Sequence, residues 1–164
     1  MGKQLILFRH GKSNWDADYA TDLDRPLAKR GIKAAKAMGK LLRQADHVPQ
    51  IVRSSPAVRA RTTAELAHKA GDWDCLLTLA PELYETTPDR MLTYLKTVPD
   101  SIDRLLLVGH EPTWSELTLL LMGGGQVQVP TAALVGLELA IGEWGAIEPG
   151  CGCLRWLLLP RLLA

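Results

Sequence analysis

The sequence predicts an α/β fold: a three-layer sandwich with a mostly parallel central sheet, an antiparallel edge strand, and helices on both faces. Two observations carry this expectation. Short β-type apolar runs alternate with longer segments of helical periodicity, the order that lays helices over a parallel sheet. The last two β-type runs are instead joined by a glycine-rich stretch without a helix, so they are expected to pair antiparallel at a sheet edge.

The first strand is expected over Gln4 to Arg9 and the second over Gln50 to Ser54. Between them, Gly31 to Gln44 places Ile32, Ala35, Met38, Leu41 and Leu42 at helical spacing, the stripe of an amphipathic helix. A second helix is expected from Pro56 to Ala70, stopped by Gly71, followed by a third strand from Cys75 to Leu79. The third helix runs from Pro88 to Thr97, with Thr87 as its N-cap and Met91, Leu92 and Leu95 apolar. A fourth strand, Arg104 to Val108, leads to a helix after Pro112 that turns Leu117, Leu120 and Leu121 inward and ends at Gly123-Gly124-Gly125. Strands over Ala132 to Ala140 and Leu154 to Leu159 complete the sheet.

At 164 residues the chain fits one domain, residues 1–164, and a fold of that size hides about 68–70% of the surface its unfolded chain exposes. Apolar residues at 47%, charged residues at 23% and a mean hydropathy of +0.01 exclude disordered, fibrous and collagen-like classes. Nineteen Lys plus Arg against eighteen Asp plus Glu leave a net charge of +1, so no whole-molecule field steers the chain onto nucleic acid or an anionic membrane, and neither is expected as a partner. The longest apolar runs, Leu117 to Met122 and Trp156 to Leu159, fall far short of the roughly 18 residues that span a bilayer. Leu5 to Phe8 is a strand-length run followed at once by Arg9 and His10, which is no secretory pattern, so the expected location is cytoplasmic. Cys75, Cys151 and Cys153 are an odd count without a second ligand pair at zinc-like spacing; free thiols, with no metal and no cofactor, are the expectation.

Three segments carry the chemistry. The first strand ends in Arg9-His10-Gly11, at the carboxyl edge where open α/β sheets hold ligands. Glycine after the histidine lets backbone approach a ligand, and Lys12, Ser13 and Asn14 follow as anion donors in the turn. The second segment is Ser54-Ser55-Pro56-Ala57-Val58-Arg59-Ala60, again at a strand end, with serine near the helix start, proline in its first turn and arginine one turn in. Helix amides, a positive dipole end and a guanidinium aimed at one sheet edge suit a phosphate dianion. The third is Val108-Gly109-His110-Glu111-Pro112, a second strand-end histidine beside glycine.

In that order, these segments resemble the histidine phosphatase superfamily. Within it the chain is most similar to the short phosphohistidine phosphatases of the SixA type, a resemblance extended by Asp24-Arg25-Pro26-Leu27, Lys29-Arg30-Gly31 and Leu79-Ala80-Pro81-Glu82-Leu83. The resemblance implies a phosphoglycerate mutase-like fold and a metal-independent phosphatase in which His10 attacks phosphorus to give a phosphohistidine enzyme that water hydrolyses. It implies that Arg9 and Arg59 neutralise phosphoryl oxygens, that His110 donates to one of them, and that Arg25 lines the rim and touches phosphate or substrate, while the turn after His10 adds Gly11 and Ser13 as expected phosphate contacts. Physical chemistry supports these roles, because an attacking imidazole must be neutral and neighbouring cations disfavour its protonated form. By resemblance Glu82 matches the position of the acid in relatives, with Glu85 and Glu111 as alternatives. If the substrate is itself a phosphohistidine, a protonated imidazole leaves readily and no strong acid is needed. Asp16 stands where mutase relatives carry asparagine, so it is expected to point away from phosphate.

No insertion between Arg59 and His110 is long enough to build a cap, and an open site suits a phosphorylated side chain on another protein. The partner expected is therefore a phosphorylated (phosphohistidine) signalling protein of a phosphorelay. A small phosphate ester is the alternative substrate, and a non-catalytic phosphate-binding module is the alternative class. His47 and His68 are expected at the surface; Trp73, Trp114, Trp144 and Trp156 are expected in packing; Trp15 is a candidate for substrate contact. Leu157 to Ala164 packs as a terminal strand and tail or exposes leucines for self-association, which leaves the oligomeric state open.

Overall fold

The structure is a computed structural model that describes residues 2–163. Six strands, β1 (Lys3–Arg9), β2 (Ile51–Ser54), β3 (Leu76–Leu79), β4 (Arg104–Gly109), β5 (Leu134–Leu139) and β6 (Gly152–Leu158), form one sheet in the order β3-β2-β4-β1-β5-β6. The first four of that order run parallel, and β5 runs antiparallel to both β1 and β6. Helices α1 (Lys29–Gln44), α2 (Val58–Ala70), α3 (Pro88–Leu95) and α4 (Thr113–Met122) complete the three layers. The α/β class, the mixed sheet and the antiparallel edge pair are as the sequence predicts.

Central strands buried on both faces read as unbroken apolar runs, and β1 and β4 divide theirs by the two-residue period of a strand. Leu5, Leu7, Leu105 and Leu107 face α3 and α4, where Met91, Leu95, Trp114, Leu117 and Leu121 close one apolar layer. Ile6, Phe8, Leu106 and Val108 face α1 and α2 and meet Met38, Leu42, Ala60, Ala64 and Ala67 in the other. Thr87 caps α3 by accepting from the Arg90 amide. Gly123 ends α4 at φ 86°, a left-handed turn that glycine adopts without strain.

Helix α1 starts two residues before the expected Gly31 and β6 two before Leu154, and three further boundaries differ for a visible local reason. Helix α2 starts at Val58 rather than Pro56, because Ala57 stays extended and its amide is taken by the Ser55 hydroxyl at 3.2 Å; Arg59 is thereby in the first turn, not one turn in. Helix α3 stops at Leu95, where the Thr97 amide bonds the Tyr94 carbonyl in a tightening turn. Strand β5 starts at Leu134 because Ala132 takes φ 58°, incompatible with a strand. Among the described residues no helix is long and apolar enough to cross a membrane.

Candidate active site

The carboxyl ends of β1, β2 and β4 lie side by side, so the residues that follow them converge. His10 leaves β1 with its amide bonded to the Gly109 carbonyl at 3.1 Å, while its own carbonyl accepts from Ala132 at 3.0 Å. The Gly11 amide is held by Thr63 Oγ1 at 3.0 Å, and that hydroxyl donates to the Arg59 carbonyl at 2.7 Å, tying the loop to α2. From the other side α1 presses against the same loop: the Ala28 amide bonds Lys12 O at 2.8 Å, and a Cβ on Gly31 would lie 2.4 Å from that oxygen. Only glycine fits this approach.

His10 Nδ1 lies 2.7 Å from the Gly11 carbonyl oxygen. A carbonyl only accepts, so the proton is on Nδ1 and the lone pair is on Nε2. Burial pushes the imidazole down to about 4, opposed by the Gly11 hydrogen bond and reinforced by Arg59, Arg9 and Arg25. His110 is pushed down to about 3 by burial first, then by His10 and Arg59, with Asp22 opposing. The two rings sit 5.2 Å apart between centroids, tilted by 53°, and both are neutral at pH 7.

Arg9, Arg25 and Arg59 surround this pair on a pocket of about 220 Å³, which Lys12, Ser13, Trp15, Glu111 and Thr131 also line. Arg9 is anchored by a bond from Nη1 to the Val129 carbonyl at 3.0 Å. Asp22, on the 3-10 turn Asp22–Asp24, accepts from Arg25, Arg59 and the Tyr84 hydroxyl, and Arg59 also donates to its backbone carbonyl. Against the desolvation that would raise it, bonds from Tyr84, Arg25 and Arg59 hold the Asp22 carboxyl well below the usual carboxylate range.

Among the described residues, six buried side-chain polar atoms lack a hydrogen-bond partner, and five of them belong to residues lining this pocket: Arg9 Nε, Ser13 Oγ, Arg25 Nε, Arg59 Nε and His110 Nδ1. Buried polar atoms are ordinarily satisfied. Such a concentration of donors fits a tetrahedral oxyanion, with guanidiniums to neutralise it and an imidazole lone pair to attack it.

The structure therefore brings together His10, Arg9, Arg59, His110, Ser13 and Arg25 in one pocket; Gly11 lies behind it and, contrary to expectation, is not a phosphate contact, because its amide is taken by Thr63 and its carbonyl by His10 Nδ1. The structure does not bring Glu82 there. That residue is exposed on the 3-10 turn Pro81–Leu83, where the buried Leu83 fixes the turn, and it is not among the residues that line the pocket. Glu85 is exposed as well. Glu111 does line the pocket, but its carboxylate accepts from both the amide and the hydroxyl of Ser115, which holds it as a cap on α4. Asp16 is exposed and outside the pocket lining, in line with expectation. Trp15 stands at the rim, exposed, with the Arg25 guanidinium 3.7 Å from its ring centroid. Trp73, Trp114 and Trp144 are buried in packing, and Trp156 is half-buried against His47. His47 and His68 are half-exposed and bonded to the carbonyls of Ala45 and Cys75.

Sequence reasoning missed Asp22, Tyr84, Thr63 and Thr131. Asp22 precedes Arg25 by one helical turn, a pairing signal, but Asp24 is nearer still in sequence. Among the described residues no group of three or more His, Cys, Asp or Glu is placed to hold a metal ion.

A strand-end histidine with a free lone pair, ringed by guanidiniums at the carboxyl edge of a doubly covered sheet, is an α/β arrangement able to hold a phosphoryl group and to present an imidazole lone pair to it. Residues 5–93 match the family model of the histidine phosphatase superfamily (branch 1), and the chain belongs to that superfamily. It is 37% identical over 163 residues to an uncharacterized protein of Mycobacterium tuberculosis, covering 93% of this chain and 99% of that one. Its fold is similar to that of the protein histidine phosphatase SixA complexed with tungstate, with a TM-score of 0.84, 24% identity, and coverage of 98% and 99% of the two chains. A putative phosphohistidine phosphatase SixA from Agrobacterium tumefaciens is similar at a TM-score of 0.81 and 24% identity, again over 98% and 99%.

Proposed function

We propose that this protein is a phosphatase that works without a metal, through a phosphohistidine formed on His10, and that its substrate is phosphohistidine on a phosphorelay signalling protein. The observation that carries the reading is the Gly11 carbonyl on His10 Nδ1, which leaves Nε2 as a neutral nucleophile inside a triad of arginines. Nε2 attacks phosphorus in line with the leaving nitrogen of the substrate imidazole. The new P–N bond forms as the old one breaks, and the substrate ring, protonated by solvent on its other nitrogen beforehand, departs as neutral imidazole. Arg9, Arg25 and Arg59 neutralise the equatorial oxygens, where charge concentrates in the transition state. Water then attacks the phosphoryl group on His10, releasing inorganic phosphate and restoring the free imidazole.

The carboxylates support a nitrogen leaving group over an alkoxide. Asp22 is ionised at neutral pH under its bonds from Tyr84, Arg25 and Arg59, and Glu111 is engaged by Ser115, so neither is poised to donate a proton. An alkoxide leaving group requires such a donor, whereas a substrate imidazole already protonated on its other nitrogen, where an unperturbed ring has a pKa of about 6.5, departs neutral without one. The exposed rim, with Trp15 projecting from it, also suits a protein surface.

The test mixes the purified protein, in excess EDTA, with a phosphohistidine-bearing phosphotransfer domain and follows phosphate release beside a His10→Ala control. Release by the wild type alone is expected. Equal release by His10→Ala overturns the mechanism, and silence on the phosphoprotein with turnover of small phosphate esters overturns the substrate.

A further inference from the structure

His10 and His110 share one pocket, both neutral, with ring centroids 5.2 Å apart. Two neutral imidazoles facing one phosphoryl group create an ambiguity: each offers either a lone pair or an N–H, and an anion needs one of each. For His10 the choice is made by the Gly11 carbonyl. For His110 the ring contact that bears on it is Nε2 to Ser55 Oγ at 2.7 Å.

A hydroxyl has one proton and two acceptor lone pairs. At Ser55 Oγ, one lone pair accepts from the Ala57 amide at 3.2 Å. If His110 carried its proton on Nε2, Ser55 would accept twice and its own proton, on a side chain with 0% exposure, would have no acceptor. Nδ1 would then turn a lone pair toward an anion. If Ser55 instead donates to Nε2, every polar atom of the pair is satisfied except Nδ1–H, and Nδ1 is one of the buried atoms without a partner on a ring that lines the pocket. Burying an unmade hydrogen bond is costly, so the second arrangement wins.

We propose that Ser55 is a positioning residue that fixes His110 as the Nδ1–H tautomer, making it a neutral hydrogen-bond donor to the phosphoryl group and covering the lone pair that would make it a second nucleophile. The assignment goes beyond the choice of substrate and holds for any phosphorylated ligand. The register of Ser55 is set independently of ligand, because its amide bonds the Val108 carbonyl at 2.9 Å, two residues before His110. Ser54 Oγ donates to the Ser55 carbonyl at 2.9 Å from the other side. Tyr84, edge-on to the His110 ring at 5.6 Å, restrains the ring against rotation.

Imidazole nitrogen-15 NMR of the wild-type protein at neutral pH reads the tautomer directly, with no dependence on activity. The expected spectrum has His110 Nδ1 protonated and Nε2 unprotonated, and the Nδ1 proton shifts downfield on titration with inorganic phosphate. Ser55→Ala is expected to lose the single tautomer and to weaken phosphate binding about tenfold, the loss of one good hydrogen bond, while Ser55→Thr, which keeps the hydroxyl, restores both. Wild-type His110 protonated on Nε2 overturns the proposal whatever the variants do. So does a Ser55→Ala protein, folded by its tryptophan spectrum, that keeps the Nδ1–H tautomer and wild-type phosphate affinity. A failure of phosphohistidine hydrolysis leaves this spectrum unaltered, so the two proposals fail separately.

Discussion

Asp22 and Arg59 form a two-point contact: Arg59 Nη2 donates to the Asp22 carboxylate at 3.0 Å and Nη1 to its backbone carbonyl at 2.7 Å. The same carboxylate takes Arg25 Nη1 at 2.5 Å through its other oxygen. An anion beside the pocket proposed to hold phosphate lowers the local positive charge, yet it holds two long, flexible guanidiniums in one geometry.

Asp22→Ala is therefore expected to lower kcat/KM roughly 10- to 100-fold, because misplacing catalytic groups by an ångström costs rate on that scale. Steady-state kinetics check it. A rise in kcat/KM would mean that the carboxylate mainly competes with phosphate.

Glu82→Gln is expected to leave turnover essentially unchanged and stability within about 0.5 kcal/mol, since the side chain is exposed and outside the pocket. Parallel assays of Glu82→Gln and wild type on the same phosphorylated substrate decide the point. A large loss of kcat in the variant would return the proton-donor role to Glu82.

Acid is expected to destabilise the folded protein because His10 resists protonation there. The folded imidazole titrates at about 4 and the unfolded one near 6.5, so between those values the unfolded chain binds a proton that the folded chain refuses. Stability thus falls as pH drops through that window, by an amount on the order of 3 kcal/mol from His10 alone. Below about 3.8 Asp22 adds to it, because the unfolded chain takes up a proton that the depressed folded carboxyl refuses. Denaturant titrations of wild type and His10→Asn from pH 7 to pH 4 measure this; the variant should show the shallower slope.

Gly31→Ala is expected to destabilise the fold by about 1–3 kcal/mol and to reduce turnover, because the added methyl meets the Lys12 backbone rather than a movable side chain. Thermal melts and kinetics of the variant test both effects together. An unchanged melting temperature would show that the loop yields freely.

Periodicity made the layers legible: the apolar runs of β1 and β4 and the stripe of α1 each name their element and the face it buries. The strand-end histidines were readable for a related reason, since a sheet forces residues that end parallel strands to one edge. Glu82 was misplaced because its turn is oriented by Leu83, a packing relation with no periodic signature. Asp22 and Tyr84 were invisible because their meeting joins two loops whose separation in sequence says nothing of distance. Ser55 was visible only as a feature of the α2 start; its contact with His110 depends on β2 and β4 being neighbours in the sheet, which sequence order conceals.

That neighbourhood of β2, β4 and β1 has one more effect. His10, Arg59 and His110 come from segments far apart in the chain, and their alignment exists only while the whole sheet is paired, with the Trp114 indole bonded to the Phe8 carbonyl at its centre. No fragment retains a working subset. Turnover is thus a reporter of global folding: followed through a denaturant gradient, catalysis and tryptophan fluorescence should disappear along a single curve.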